Sequence, residues 1–157
     1  VSESRGLGDV YKRQLPNLVF IDIDVYEKII VISDLRETQP KQVVLYKNLY
    51  TELSESNNQL PRLTVTNGPI PDGFYSEIIS LILTVNKYNL SIQDLSIIYN
   101  GSELTGSYKN TLINIGSPID LSKKGSVVGY ILEEGNCDGE VTIIDSNSED
   151  IETILNC

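Results

Sequence analysis

The sequence predicts an all-β protein, and three observations support that fold class. Isoleucine and valine dominate the aliphatic residues while alanine is absent, and this composition favours strands over helices. Apolar and polar side chains alternate with a period of two, most clearly in residues 19–26. Strand-like segments recur roughly every eight to fourteen residues, which is typical of a sandwich rather than of alternating βα units. We therefore predict a β-sandwich of about seven to nine antiparallel strands.

Further strands are predicted wherever short alternating segments lie between turn residues. They cover residues 29–33, 42–46, 63–66, 90–92, 95–99 and 108–115. Turn signals separate them, among them Asn67-Gly68 and the breaker that ends at Gly73. The predicted elements therefore follow one another as strand, loop and strand along most of the chain.

Three apolar segments are assigned to strands, and one of them also fits a helix. In residues 74–85 the side chains of Ile78, Ile79, Ile82 and Leu83 match a helical stripe, yet the β-branched content and the preceding Pro-Asp-Gly favour a strand. Residues 127–132 and 141–144 are predicted to pair as a hairpin across a glycine-containing loop.

The first residues of the chain resemble translated adapter sequence. Residues 4–14 match one reading frame of a transposase-type sequencing-library adapter, and such segments are excluded from fold reasoning. We therefore treat residues 1–14 as adapter-derived and non-native, and expect one β-sandwich domain over residues 15–157. Because the chain contains no methionine, we expect it to be truncated at the N-terminus. Truncation at the C-terminus, after Cys157, is left open.

The negative net charge of the chain limits which partners it can bind. The formal net charge is −10 at pH 7, and no cluster of Lys and Arg interrupts the acidic sequence. Binding to nucleic acid or to anionic lipid depends on basic side chains that displace counterions. Apolar runs are also shorter than the ~20 residues that span a bilayer. We therefore expect no nucleic-acid partner and no membrane insertion, and look for partners among other domains of the same polypeptide or envelope proteins.

The two cysteines, Cys137 and Cys157, lie in the last quarter of the chain. In an oxidising compartment they could form a disulfide, and closing a loop of about twenty residues would contribute on the order of 3 kcal/mol. Two unpaired thiols explain the same residues, so the sequence leaves both alternatives open. With no histidine and two cysteines, the usual four-ligand zinc site cannot form.

Candidate catalytic residues lead to no enzyme prediction. Asp22 and Asp24 end an apolar strand, as in the first motif of haloacid-dehalogenase-like phosphatases, but the glycine or threonine expected next is replaced by Val25-Tyr26-Glu27. Acidic residues on the solvated face of a strand explain them better. Nucleophile–imidazole pairs are excluded because the chain has no histidine. We expect a protein that is not an enzyme, with no catalytic residues and no cofactor.

A run of oxygen-bearing side chains near the C-terminus gives weak calcium candidates. They are Asp145, Asn147, Glu149 and Asp150. An EF-hand is excluded because Asp150 stands where that loop needs glycine and Asn156 where it needs glutamate. A solvated acidic turn is the favoured interpretation, so we predict no metal site.

Tyrosine is abundant and offers a possible recognition surface. Seven tyrosines could line a sugar- or protein-binding surface, although packing within the sheet is the simpler use. They are Tyr46, Tyr50, Tyr75, Tyr88, Tyr99, Tyr108 and Tyr130.

One stretch carries a family resemblance. Residues 60–75, with Pro71, Gly73 and Tyr75, resemble the Pro-x-Gly-x-Tyr corner of bacterial immunoglobulin-like surface domains, and residues 28–45 resemble the opening hairpin of such domains, including the TANFOR type. The resemblance implies an immunoglobulin-like β-sandwich and a non-catalytic structural or adhesive module of a larger bacterial surface or secreted protein. Extracellular or cell-surface localisation follows from it. The alternatives are a phage or virion structural protein and an accessory carbohydrate-binding domain of a secreted enzyme.

Overall fold

The computed structural model describes residues 26–54, 59–135, 137–144 and 151–157. These residues form nine strands and two α-helices. In chain order the elements are β1 (Lys28–Asp34), β2 (Gln42–Tyr46), β3 (Thr51–Leu53), β4 (Arg62–Val65), α1 (Phe74–Val85), β5 (Leu95–Tyr99), β6 (Leu104–Tyr108), β7 (Thr111–Gly116), α2 (Leu121–Glu134), β8 (Glu140–Ile144) and β9 (Glu152–Asn156). A short 3₁₀ turn, Ile92–Asp94, precedes β5.

The nine described strands belong to one sheet, in the order β3-β2-β1-β4-β5-β6-β7-β8-β9. Strand β4 lies parallel to both β1 and β5, and β7 lies parallel to β8, while the other pairs are antiparallel. The prediction of a β-rich chain is confirmed. The prediction of purely antiparallel strands is corrected: helices α1 and α2 connect parallel neighbours, and parallel neighbours require such crossover connections. One described sheet with a helical layer therefore stands where two facing sheets were predicted.

Residues 74–85 form helix α1, so the strand prediction for this segment is wrong. The buried side chains include Phe74, Ile78, Leu81 and Val85, which recur every three or four residues and form one stripe. A length of twelve residues also suits a helix better than a strand. Strand propensity of the β-branched residues is overridden because the helix buries that stripe against the sheet.

The predicted strand over residues 127–132 is likewise wrong, because these residues lie inside helix α2. Its buried stripe runs through Leu121, Gly125, Val128 and Leu132, again at helical spacing. A Cβ atom on Gly125 would lie 3.1 Å from Cβ of Thr84 in α1. The glycine therefore allows the two helices to approach closely, and the predicted hairpin is replaced by a helix followed by β8.

Most other strand predictions agree with the structure. Strands β1, β2, β4, β5 and β8 lie within about one residue of the predicted segments at most of their ends. Residues 90–92 were assigned to a strand but lead into the 3₁₀ turn. The predicted strand 108–115 is divided by a turn at Lys109, whose φ of 53° ends β6 before β7 begins. Predicted strand residues 19–25 lie outside the described residues.

Both helices cover the same face of the sheet. The buried strand residues Leu63, Ile97 and Ile113 belong to one apolar cluster with Ile78 of α1 and Val128 of α2. The helices also join through a polar contact, since the backbone N–H of Leu121 donates to Oε1 of Glu77 at 3.0 Å. A carboxylate at this position stabilises the N-terminal end of α2. None of the described helices is long and apolar enough to cross a membrane.

Candidate functional site

The face of the sheet opposite the helices carries a regular array of paired strand residues. We call its exposed part, over β4 to β9, the open face. At the far end of the same face Val31 and Val44 are buried, at 3% and 5% exposure, so β1 and β2 are not part of it. Because strand residues alternate between faces, the sheet register determines which side chains lie on the open face.

One line of paired residues crosses the open face without a charged side chain. Each member is the register partner of the next on the neighbouring strand. These residues, which we call the uncharged row, are Thr64, Ile98, Thr105, Asn114, Thr142 and Ile154. The two isoleucines are 43% and 55% exposed, and the polar members are half-buried. The row therefore presents short polar groups between two exposed aliphatic side chains.

Hydrogen bonds hold part of this row in place. Nδ2 of Asn114 donates to Oε2 of Glu140 at 2.8 Å and to Oγ1 of Thr142 at 3.1 Å. A side-chain amide with both of its donated bonds in place is preorganised, so contact with a partner costs little further ordering. These hydrogen bonds fix the orientation of the Asn114 amide on the open face.

A second candidate lies at the carboxyl ends of the parallel strands. The chain leaves β1 toward β2 on one side and leaves β4 through α1 toward β5 on the other. Ligands of open α/β sheets bind in the crevice at such a reversal. The residues brought to this edge are Asp34 at the end of β1, Thr66 after β4 and Tyr99 at the end of β5.

Asp34 and Arg36 form a two-pronged ion pair at this end of the sheet. Nε and Nη2 of Arg36 donate to the two carboxylate oxygens of Asp34 at 2.8 and 2.7 Å. The hydrogen bond from Arg36 holds the pKa of the Asp34 carboxyl below its ordinary value. Gly68 makes room for the guanidinium, because a Cβ atom there would lie 2.9 Å from Nη1. The two charges therefore neutralise each other rather than face an open ligand site.

This ion pair predicts an acid-dependent loss of stability. A carboxyl with a lowered pKa in the folded state stabilises the fold above its unfolded pKa of about 4, and the contribution is lost as the pH falls through the folded value. The melting temperature of the wild type should therefore exceed that of Asp34→Asn at pH 7, and the difference should shrink toward pH 2. Thermal denaturation from pH 7 to pH 2 measures this, and a constant difference would contradict the role of Asp34.

The tyrosine that anchors the corner before α1 is Tyr99 rather than the predicted Tyr75. The hydroxyl of Tyr99 donates to the carbonyl oxygen of Pro69 at 3.0 Å, and its ring centroid lies 4.7 Å from that of Phe74. Tyr75 lies in the first turn of α1, where burial raises the pKa of its hydroxyl. The corner expected to lead into a core strand thus leads into a helix.

At the opposite ends of the strands, a cavity of about 350 Å³ lies between the β6–β7 turn and the C-terminal end of α2. Its lining includes Tyr108, the basic residue Lys109 and the acidic residues Glu133 and Asp138. Glu133 accepts a hydrogen bond from the backbone N–H of Asn89 at 2.7 Å, which joins the two helical ends. This use of Glu133 is structural.

Cys137, which lines that cavity, forms a disulfide with Cys157, and the two Cα atoms are 4.9 Å apart. Cys137 is buried, and its carbonyl oxygen accepts a hydrogen bond from the hydroxyl of Thr111 at 2.5 Å. The bridge joins Cys137, three residues before β8, to Cys157, the residue after β9. It therefore fastens the terminal strand to the sheet at the end where β9 stops.

Several predicted site residues lie outside the described residues. The calcium candidates Asp145, Asn147, Glu149 and Asp150 are among them, and so are Asp22 and Asp24. Within the described ranges no group of three or more metal-ligating side chains occurs.

The seven tyrosines do not converge on one surface. Tyr46 and Tyr50 lie together with ring centroids 5.8 Å apart, Tyr108 lines the cavity beside the β6–β7 turn, and Tyr130 is exposed on α2. A sugar-binding platform of tyrosines is therefore not assembled by the described part of the chain.

Comparison of the chain with protein-family models, with curated proteins and with solved structures finds no match. Function is therefore inferred from the surfaces of the described residues. Sequence reasoning missed the uncharged row because its members are separated by loops and helices and are aligned only by the sheet register. The available signal was the alternation within each strand, which places Ile98 between polar neighbours on the solvent side.

Proposed function

We propose that the chain is a non-catalytic structural or adhesive module of a larger bacterial surface or secreted protein, with the open face as its contact surface. The observation that carries the proposal is the uncharged row across six strands. Charged residues make up 22% of the sequence, yet none lies in this row. The centres of protein interfaces are depleted of charged side chains in the same way, because burying a charge is unfavourable.

The chemistry of the row suits a flat partner. Threonine hydroxyls can donate and accept hydrogen bonds, and the carbonyl oxygen of Asn114 can accept them, while Ile98 and Ile154 offer apolar area at two points. Short side chains lose little conformational entropy when a partner covers them. Other domains of the same polypeptide and envelope proteins are the partners that fit such a surface.

The disulfide supports an extracellular or cell-surface location. Disulfides persist in oxidising compartments and are rare where thiols are kept reduced. The likeness of residues 28–45 to the opening hairpin of bacterial surface domains supports the same function, since β1 and β2 pair antiparallel there. Location and function therefore form one proposal.

An adhesion assay with matched variants tests the proposal. Beads coated with the chain are passed over immobilised glycans, bacterial cell-wall preparations and purified envelope proteins, and bead retention is measured. We expect retention on at least one surface, and a loss of about tenfold with Ile98→Lys, because a lysine at the centre of a buried interface destabilises binding. Tyr130→Lys on the exposed side of α2 is the control and should retain wild-type binding.

Equal loss with both variants would show that the open face is not the contact surface. Absence of retention on every surface tested would contradict the adhesive function itself. Circular dichroism of each variant checks that the fold is intact. We expect both variants to fold, because Ile98 and Tyr130 are exposed.

A further inference from the structure

Strand β9 forms one edge of the sheet and pairs only with β8 among the described strands. No described strand pairs with its outer side, where the backbone groups of an edge strand can pair with another strand. Ile154 and Leu155 are 55% and 53% exposed and point to opposite faces. A partner lying on one face would cover one of them, whereas a strand added at the edge contacts both.

We infer that β9 pairs with β9 of a second copy of this chain, in an antiparallel two-fold dimer centred on Ile154. In this register Ile154 lies opposite Ile154, Thr153 opposite Leu155, and Glu152 opposite Asn156 of the other copy. Carboxylate and amide can then form a hydrogen bond, and no like charges are opposed. A parallel pairing in register would place Glu152 beside its own copy and is disfavoured.

The dimer also extends the uncharged row. Ile154 is the last residue of the row, and directly opposed residues of antiparallel strands point to the same face. The two rows therefore join through the Ile154 pair into one row that crosses both copies. The disulfide beside Asn156 holds the strand in place before the partner arrives, which reduces the ordering needed on association.

The other edge of the sheet is protected against the same pairing. Strand β3 has three residues, and a two-fold pairing would centre on Glu52, so two carboxylates would oppose each other. Oε2 of Glu52 also accepts a hydrogen bond from the hydroxyl of Tyr46 at 2.7 Å. Charged residues at the centre of an edge strand prevent edge-to-edge association, so β9 is the edge selected.

Sedimentation velocity of the full chain over a range of concentrations tests the dimer. A five-residue strand gives a small interface, so we expect the mass to rise from 17.5 kDa toward twice that value only at roughly 100 µM or above. Ile154→Glu should abolish this rise, because it opposes two carboxylates as at β3. Leu53→Glu at the other edge is the matched control, with similar exposure, and should leave dimerisation unchanged.

A charge exchange tests the register. Asn156→Glu opposes a carboxylate to Glu152 of the other copy and should weaken association at least about tenfold, whereas adding Glu152→Lys to that variant should restore it. A mass of 17.5 kDa at every concentration, association that survives Ile154→Glu, or no rescue by the double variant would each overturn the dimer. Ile98→Lys should still dimerise, so failure of the dimer and failure of the adhesive function can be told apart.

Discussion

Reduction of the Cys137–Cys157 disulfide is expected to lower the free energy of unfolding by about 3 kcal/mol. The bridged residues are separated by 20 positions, and the bridge limits the conformations of the unfolded chain. Because the bridge fastens β9, its loss should first expose β8 and the end of the sheet. Urea denaturation with and without reductant measures the change.

Cys157→Ser serves as the control for this prediction because Cys157 is exposed, whereas Cys137 is buried. The variant should show the same loss of stability without reductant, and reductant should have no further effect on it. An unchanged urea midpoint after full reduction would show that the bridge contributes nothing to the fold.

Leu81→Ala is expected to lower the free energy of unfolding by about 2–5 kcal/mol, as deletion of a buried leucine side chain does in other cores. Leu81 is 1% exposed and belongs to the core between α1, α2 and the sheet. Urea denaturation measures the loss.

The matched control is Leu83→Ala, two residues further along α1. Leu83 is only partly buried, so its truncation should cost less than half as much. Residues two apart lie on the same face of a strand but on different faces of a helix. Equal losses at the two positions would therefore contradict the helix.

The sequence predicts those strands whose own side chains alternate. The strand predictions for residues 29–33 and 95–99 are correct. Residues 29–33 form a short, mostly buried apolar run, whereas buried and more exposed side chains alternate along residues 95–99. Helix α1 was assigned to a strand because its isoleucines favour strands locally. Its apolar stripe stabilises a helix only when the stripe packs against the sheet, and the sequence alone does not show that contact. In α2 the spacing of Gly125 and Gly129 was a helical signal, since it allows α1 and the ring of Tyr88 to lie close.

The architecture and the site depend on contacts between distant residues. The parallel pairing of β4 with β5 requires α1, so a strand prediction for residues 74–85 also removes the crossover and leads to a sandwich. The open face depends on the order and register of the strands, because only the observed register aligns the uncharged row from Thr64 to Ile154. The pairing of Cys137 with Cys157 was left open by the sequence because it depends on where β9 lies.

Backbone nuclear Overhauser contacts decide whether the helical layer and the mixed sheet exist in solution. We predict strong contacts between successive amide protons along residues 74–85 and 121–134, together with contacts between Leu63 and Ile97 across the parallel pair β4–β5. Strong contacts from each α proton to the next amide proton along residues 74–85, with none between β4 and β5, would contradict the mixed sheet and the open face that depends on it.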